Sequence, residues 1–83
     1  MTNIKDFVTE YIQREYTVAD DVDIMTLNYI DAGYIDSMGL LQFIATLEDE
    51  FGITFSDEEI SSPDIKVVGS LIAMIEKKIA AQN

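Results

Sequence analysis

Carboxylates and hydroxyls are the side chains of this sequence with chemistry to offer. Its 83 residues hold 16 Asp and Glu but no His and no Cys. There is therefore no imidazole base, no thiolate nucleophile, and no Cys- or His-ligated zinc. Asp21-x-Asp23 begins like a calcium loop, but the third acid and the central Gly of an EF-hand are missing, so it reads as a solvated acidic loop. Glu48-Asp49-Glu50, with Asp57-Glu58-Glu59 nearby, offers oxygen ligands that could hold a divalent ion loosely. A charged solvent face accounts for the same acids, and no metal site is assigned. Nothing apolar and convergent surrounds them, so their pKa values are expected to stay ordinary, which argues against acid–base catalysis by paired carboxylates.

The hydroxyl of interest is in Asp36-Ser37. As a helix cap, Ser37 would simply accept a backbone N–H. If Asp36 is the cap instead, Ser37 sits at the first helical position with its hydroxyl pointing outward. An anionic group attached there would meet free backbone N–H groups and the positive end of the helix dipole. No internal base can activate this serine, so another protein must modify it.

The elements that position these residues follow from apolar spacing. Ile4, Phe7, Val8, Tyr11 and Ile12 mark one face of a helix over residues 3 to 16, with Thr2 or Asn3 as cap. Leu40, Phe43, Ile44, Leu47 and Phe51 mark a second, capped by Asp36 or Ser37 and stopped at Gly52. Val68, Leu71, Ile72, Ile75 and Ile79 mark a third, with Lys77 and Lys78 in its last turns, where cations suit the dipole. Ser56-Asp57-Glu58-Glu59 has the form of a capping box and predicts a short helical turn before Pro63. The connection from Thr17 to Ile35 is long, and Val22, Ile24, Leu27, Ile30 and Ile35 pin it as an ordered loop across the bundle. The expected architecture is an all-α bundle of three to four helices in one domain, residues 1–83, without a linker.

On the second helix, at ~100° per residue, Met38, Leu41 and Ala45 fall opposite the core stripe, on a face shared with Gln42, Glu48 and Asp49. Apolar anchors inside an acidic rim are how a docking face is built; the plainer alternative is that Met38 and Leu41 fold under the long loop. Gly39 is expected to weaken the helix start by up to ~1 kcal/mol relative to Ala.

Composition sets the choice of partners. The formal charge is −11, and the stretch from Glu15 to Ile65 holds 13 of the 16 acids and no cation. Nucleic acid and anionic membrane would both meet repulsion there, whereas a basic protein surface fits. MTNIKDF shows no cationic start followed by an apolar run, so no signal peptide is expected. The longest nearly apolar stretch, Val67 to Ile75, is far short of a membrane span. A monomeric, cytoplasmic protein is expected.

Gly33-Tyr34-Ile35-Asp36-Ser37-Met38, the helix of Leu40, Leu41, Phe43, Ile44 and Leu47, and the ending Glu48-Asp49-Glu50-Phe51-Gly52-Ile53 together resemble an acyl carrier protein, over nearly the whole chain. The resemblance implies that Ser37, flanked by Asp36, receives 4'-phosphopantetheine from a holo-carrier synthase, a phosphopantetheinyl transferase. It further implies that the arm's thiol carries acyl or aminoacyl intermediates as thioesters in fatty acid, polyketide or related specialised biosynthesis. A chain without Cys can be a thioester carrier only through such a borrowed thiol. The implied partners are a loading ligase and downstream acyl-processing enzymes, docking on Met38, Leu41, Ala45, Glu48 and Asp49. The implied acyl pocket lies among Phe43, Ile44, Leu47, Leu71 and Ile75. The chain departs from the family pattern at Gly39 and Gln42, where acids are common, at Val67, where a Thr or Ser cap often opens the last helix, and in a longer Ile60–Lys66 stretch. The G-x-x-D-S-M form is similar to carriers charged by an adenylating ligase and favours a specialised carrier. The competing reading is an unmodified acidic helical module that docks on a basic partner; an enzyme is disfavoured because no orienting base or triad is present.

Overall fold

The computed structural model describes residues 3–16, 18, 19 and 21–82. Four α-helices make up most of it: α1 Ile4–Tyr16, α2 Ser37–Phe51, α3 Asp57–Ser61 and α4 Val68–Gln82, with 3-10 turns at Ile24–Thr26 and Pro63–Lys66. Each boundary has a local cause. The Asn3 side chain accepts the Asp6 N–H at 3.3 Å at the start of α1; Thr2, the alternative cap, lies outside the described residues. α2 is capped by Asp36 and ends at Gly52, whose left-handed φ of 65° costs a residue without a Cβ little. Ser56 and Glu59 close a reciprocal capping box at α3. The longer stretch after it is taken up by the 63–66 turn, opened by a proline that has no N–H to leave unpaired.

The apolar stripes meet in one core. Val8 and Ile12 come from α1, Phe43, Ile44 and Leu47 from α2, and Val68, Leu71, Ile72 and Ile75 from α4. Five further buried residues, Tyr29, Ile35, Ile53, Phe55 and Ile65, come from connections and the 63–66 turn. Rings bridge α1 to α2: Tyr11 stacks on Phe43 at 4.7 Å and Phe7 meets Phe51 edge-on at 5.3 Å. Tyr29 meets Phe43 edge-on at 5.9 Å.

The described part of the long connection lies on the bundle as expected, Thr17 and Asp20 being outside the described residues, but its main pin is a residue the apolar count passed over. Tyr29 is fully buried, whereas Val22, Ile24, Leu27 and Ile30 are half-buried. The Tyr29 hydroxyl donates to the Ile65 carbonyl and its N–H to Lys66 O at 3.1 Å. An antiparallel bridge pairs Asn28 with Val67, and Val68 N–H donates to Leu27 O at 3.1 Å. Val67 thus stands where a capping side chain was expected because the first N–H of α4 finds its acceptor in the loop. The 24–26 turn presses closely on the same helix end: a Cβ at Gly69 would lie 2.8 Å from the Met25 carbonyl oxygen.

One expectation for α4 is corrected. The helix continues to Gln82, so Lys77 and Lys78 precede its last turn. Lys78 instead clamps the α2–α3 connection, reaching Glu59 at 2.6 Å and Thr54 O at 2.7 Å, with its ammonium 5.1 Å from the Phe55 ring centre. Among the described residues no helix is long and apolar enough to cross a membrane.

Candidate functional site

The start of α2 decides between the two roles open to Ser37. Asp36 is extended (φ −99°, ψ −176°), its Oδ1 accepts the Gly39 N–H at 2.7 Å, and its carbonyl accepts the Leu40 N–H at 2.8 Å. Asp36 is therefore the cap. Ser37 is the first helical residue, exposed, and its hydroxyl has no hydrogen-bond partner among the described residues. As the first two residues of the helix, Ser37 and Met38 have N–H groups without a carbonyl partner inside it. A phosphate ester on Ser37 fits this place, where amides and dipole both favour an anion. Burial raises the phenol pKa of Tyr16, helped by Tyr11, Glu15 and Asp36, and burial first and Tyr16 second raise that of Tyr29. Neither phenol can serve as a base near neutral pH.

The face beyond Ser37 is open. Met38 is 73% and Leu41 58% exposed, which excludes their folding under the loop; Gln42, Ala45 and Asp49 are exposed beside them. Glu48 differs from these: it is half-buried, and its carboxylate accepts the Phe55 N–H at 2.8 Å, tying the end of α2 to the following connection. Phe43, Ile44, Leu47, Leu71 and Ile75 are buried together in the core.

Two further sequence expectations are altered. Gly39 is not merely a weak helix former, because a Cβ there would lie 2.9 Å from Ile35 Cγ1 and 3.1 Å from Asp36 Oδ1. Glu59 does not keep an ordinary pKa: the hydrogen bond from Lys78, then that from the Ser56 N–H, holds its carboxyl below the usual range. Among the described residues no three acids gather as a metal cluster. Tyr29 and Gly39 are the residues that apolar spacing undervalues: nothing local in the sequence marks Tyr29 as buried or Gly39 as a close approach.

Residues 6–75 match the phosphopantetheine attachment site domain. The chain belongs to that family of carrier proteins. It is similar to the D-alanyl carrier protein of Abiotrophia defectiva, 28% identical over 72 residues and 87% of each chain. It is also similar to the D-alanyl carrier protein of Streptococcus mutans serotype c, 34% identical over 84% of this chain and 87% of that one. The tetracenomycin polyketide synthase acyl carrier protein of Streptomyces glaucescens is 42% identical over 43 residues, 52% of this chain and 51% of its own. This carrier is a non-catalytic member of the acyl carrier family that bears 4'-phosphopantetheine covalently. When attached, the arm supplies the thiol on which acyl groups ride. A carrier of this kind works with a phosphopantetheinyl transferase and with loading or processing enzymes.

Proposed function

We propose that Ser37 is the residue that bears the arm and that the cargo is an acyl or aminoacyl group in a specialised pathway. The supporting observation is the exposed Ser37 hydroxyl at the start of α2, left free because Asp36 takes the cap. In the attachment step Ser37 Oγ bonds to the pantetheine-bearing phosphorus of coenzyme A. Its proton passes to a base of the transferase, and adenosine 3',5'-bisphosphate leaves. The names of the relatives support the cargo class, two being D-alanyl carriers and one a polyketide acyl carrier. Transferase and loading enzyme dock on the face of Met38, Leu41, Ala45 and Asp49, and Glu48 contributes through the stiffness of the α2 end as well as through its charge.

The test is intact mass after incubation with coenzyme A and a broad-specificity phosphopantetheinyl transferase. Wild type should gain one phosphopantetheine and Ser37→Ala none, and Leu41→Glu should gain it more slowly. A folded wild type that gains no mass would return the protein to the class of unmodified acidic modules. A Leu41→Glu rate equal to wild type would remove Leu41 from the docking face.

A further inference from the structure

Ser37 directly follows two residues, Ile35 and Asp36, that close on the space left at Gly39. A Cβ on Gly39 would come within 2.9 Å of Ile35 Cγ1, closer than real carbon contacts allow, and within 3.1 Å of Asp36 Oδ1. Neither neighbour is free to retreat. The Asp36 carboxylate is held by the Gly39 N–H at 2.7 Å. The Ile35 side chain is 4% exposed, and its N–H and that of Tyr34 both donate to Tyr29 O, at 3.3 Å and 3.1 Å. Tyr29 is anchored in turn at its far end by its hydroxyl on Ile65 O and by its N–H on Lys66 O. The backbone before Ser37 is therefore tied through Tyr29 to the 63–66 turn, and a side chain at 39 must displace either the cap or a buried isoleucine.

We propose that Ile35 and Gly39 are a steric pair that positions Ser37 for attachment of the arm, the bulk of one requiring the absence of a side chain on the other. The proposal rests on Ser37 being the attachment residue. The pair excludes an acid at 39 as firmly as a methyl group, and the helix from Ser37 to Leu47 carries no charge at all. The transferase therefore reads the apolar Met38 and Leu41 beside the serine, and it reads no carboxylate at position 39.

The test is a cycle of Gly39→Ala, Ile35→Ala and the double variant, with Gly39→Asp alongside, each assayed for kcat and KM of arm transfer from coenzyme A and for Tm. Gly39→Ala should lower kcat by about tenfold with KM little changed, the signature of a misplaced nucleophile. In the Ile35→Ala background the same change should restore kcat to within about twofold of Ile35→Ala alone. Gly39→Ala should lower Tm clearly in the wild-type background and by much less in the Ile35→Ala background, where the 3.1 Å approach to Asp36 Oδ1 is the contact that remains against the gain in helix propensity. A wild-type kcat for Gly39→Ala, a double variant no better than Gly39→Ala, or a faster Gly39→Asp would each overturn the proposal. If even wild type accepts no arm, the attachment reading fails separately, and additive Tm changes would still overturn the steric pair.

Discussion

Asp36 and Ser37 are both good caps, so the sequence placed a helix start at this dipeptide and left open which residue served it. The extended backbone of Asp36 and its 2.7 Å bond to the Gly39 N–H settle the division of labour. The consequence is measurable by chemical denaturation. Asp36→Ala should cost ~1 kcal/mol, while Ser37→Ala should stay within about 0.5 kcal/mol of wild type. Equal losses in both would mean that Ser37 shares the cap. Gly39 shows the limit of propensity at this scale: what reads as a poor helix former in isolation is, in place, the residue that leaves room for Ile35 and Asp36.

At the scale of elements, α1, α2 and α4 were legible because their stripes keep a 3.6-residue period, and α3 because its capping box is a local signal. The stitching of the long connection onto α4 was not legible, since backbone pairing between residues 27–29 and 66–68 leaves no periodic trace. Gly69 tests that stitching. On propensity alone Gly69→Ala should stabilise a helix by ~1 kcal/mol. The methyl group, however, would lie 2.8 Å from the Met25 carbonyl oxygen, a backbone atom. The overpacking cost of ~1–3 kcal/mol should win, so Gly69→Ala is expected to unfold at lower denaturant than wild type. A stabilised variant would show that the 24–26 turn yields easily.

The whole molecule carries a charge of −11 on a fold with few cations. Self-repulsion should make it more stable in salt or millimolar magnesium than in dilute buffer, and a Tm indifferent to both would show that the acids are better compensated. Against that background the Lys78–Glu59 clamp adds a pH dependence of known sign. The folded-state pKa of Glu59 lies below its ordinary 4.5. Its contribution is thus fully present above that value and is lost as pH falls through the lower, folded-state pKa. Falling pH also relieves the net repulsion, so the clamp is best read as a difference between proteins. The stability margin of wild type over Glu59→Gln should shrink between neutral pH and about pH 3, and a constant margin would mean that Lys78 holds Thr54 and Phe55 without help from the Glu59 charge.

Composition and local spacing sufficed for the lack of imidazole and thiol chemistry, the helical class, the order of the helices and the helix start at Asp36-Ser37. These depend on residue types and on neighbours within one or two turns. Only the tertiary structure decided that Tyr29, Ile53, Phe55 and Ile65 complete the core, that Glu48 and Glu59 hold backbone and lysine, and that Gly39 and Gly69 are close approaches. Most of those roles are created by partners far off in the chain, as when the Tyr29 hydroxyl meets a carbonyl 36 residues away, and no periodicity of the intervening sequence encodes such a distance.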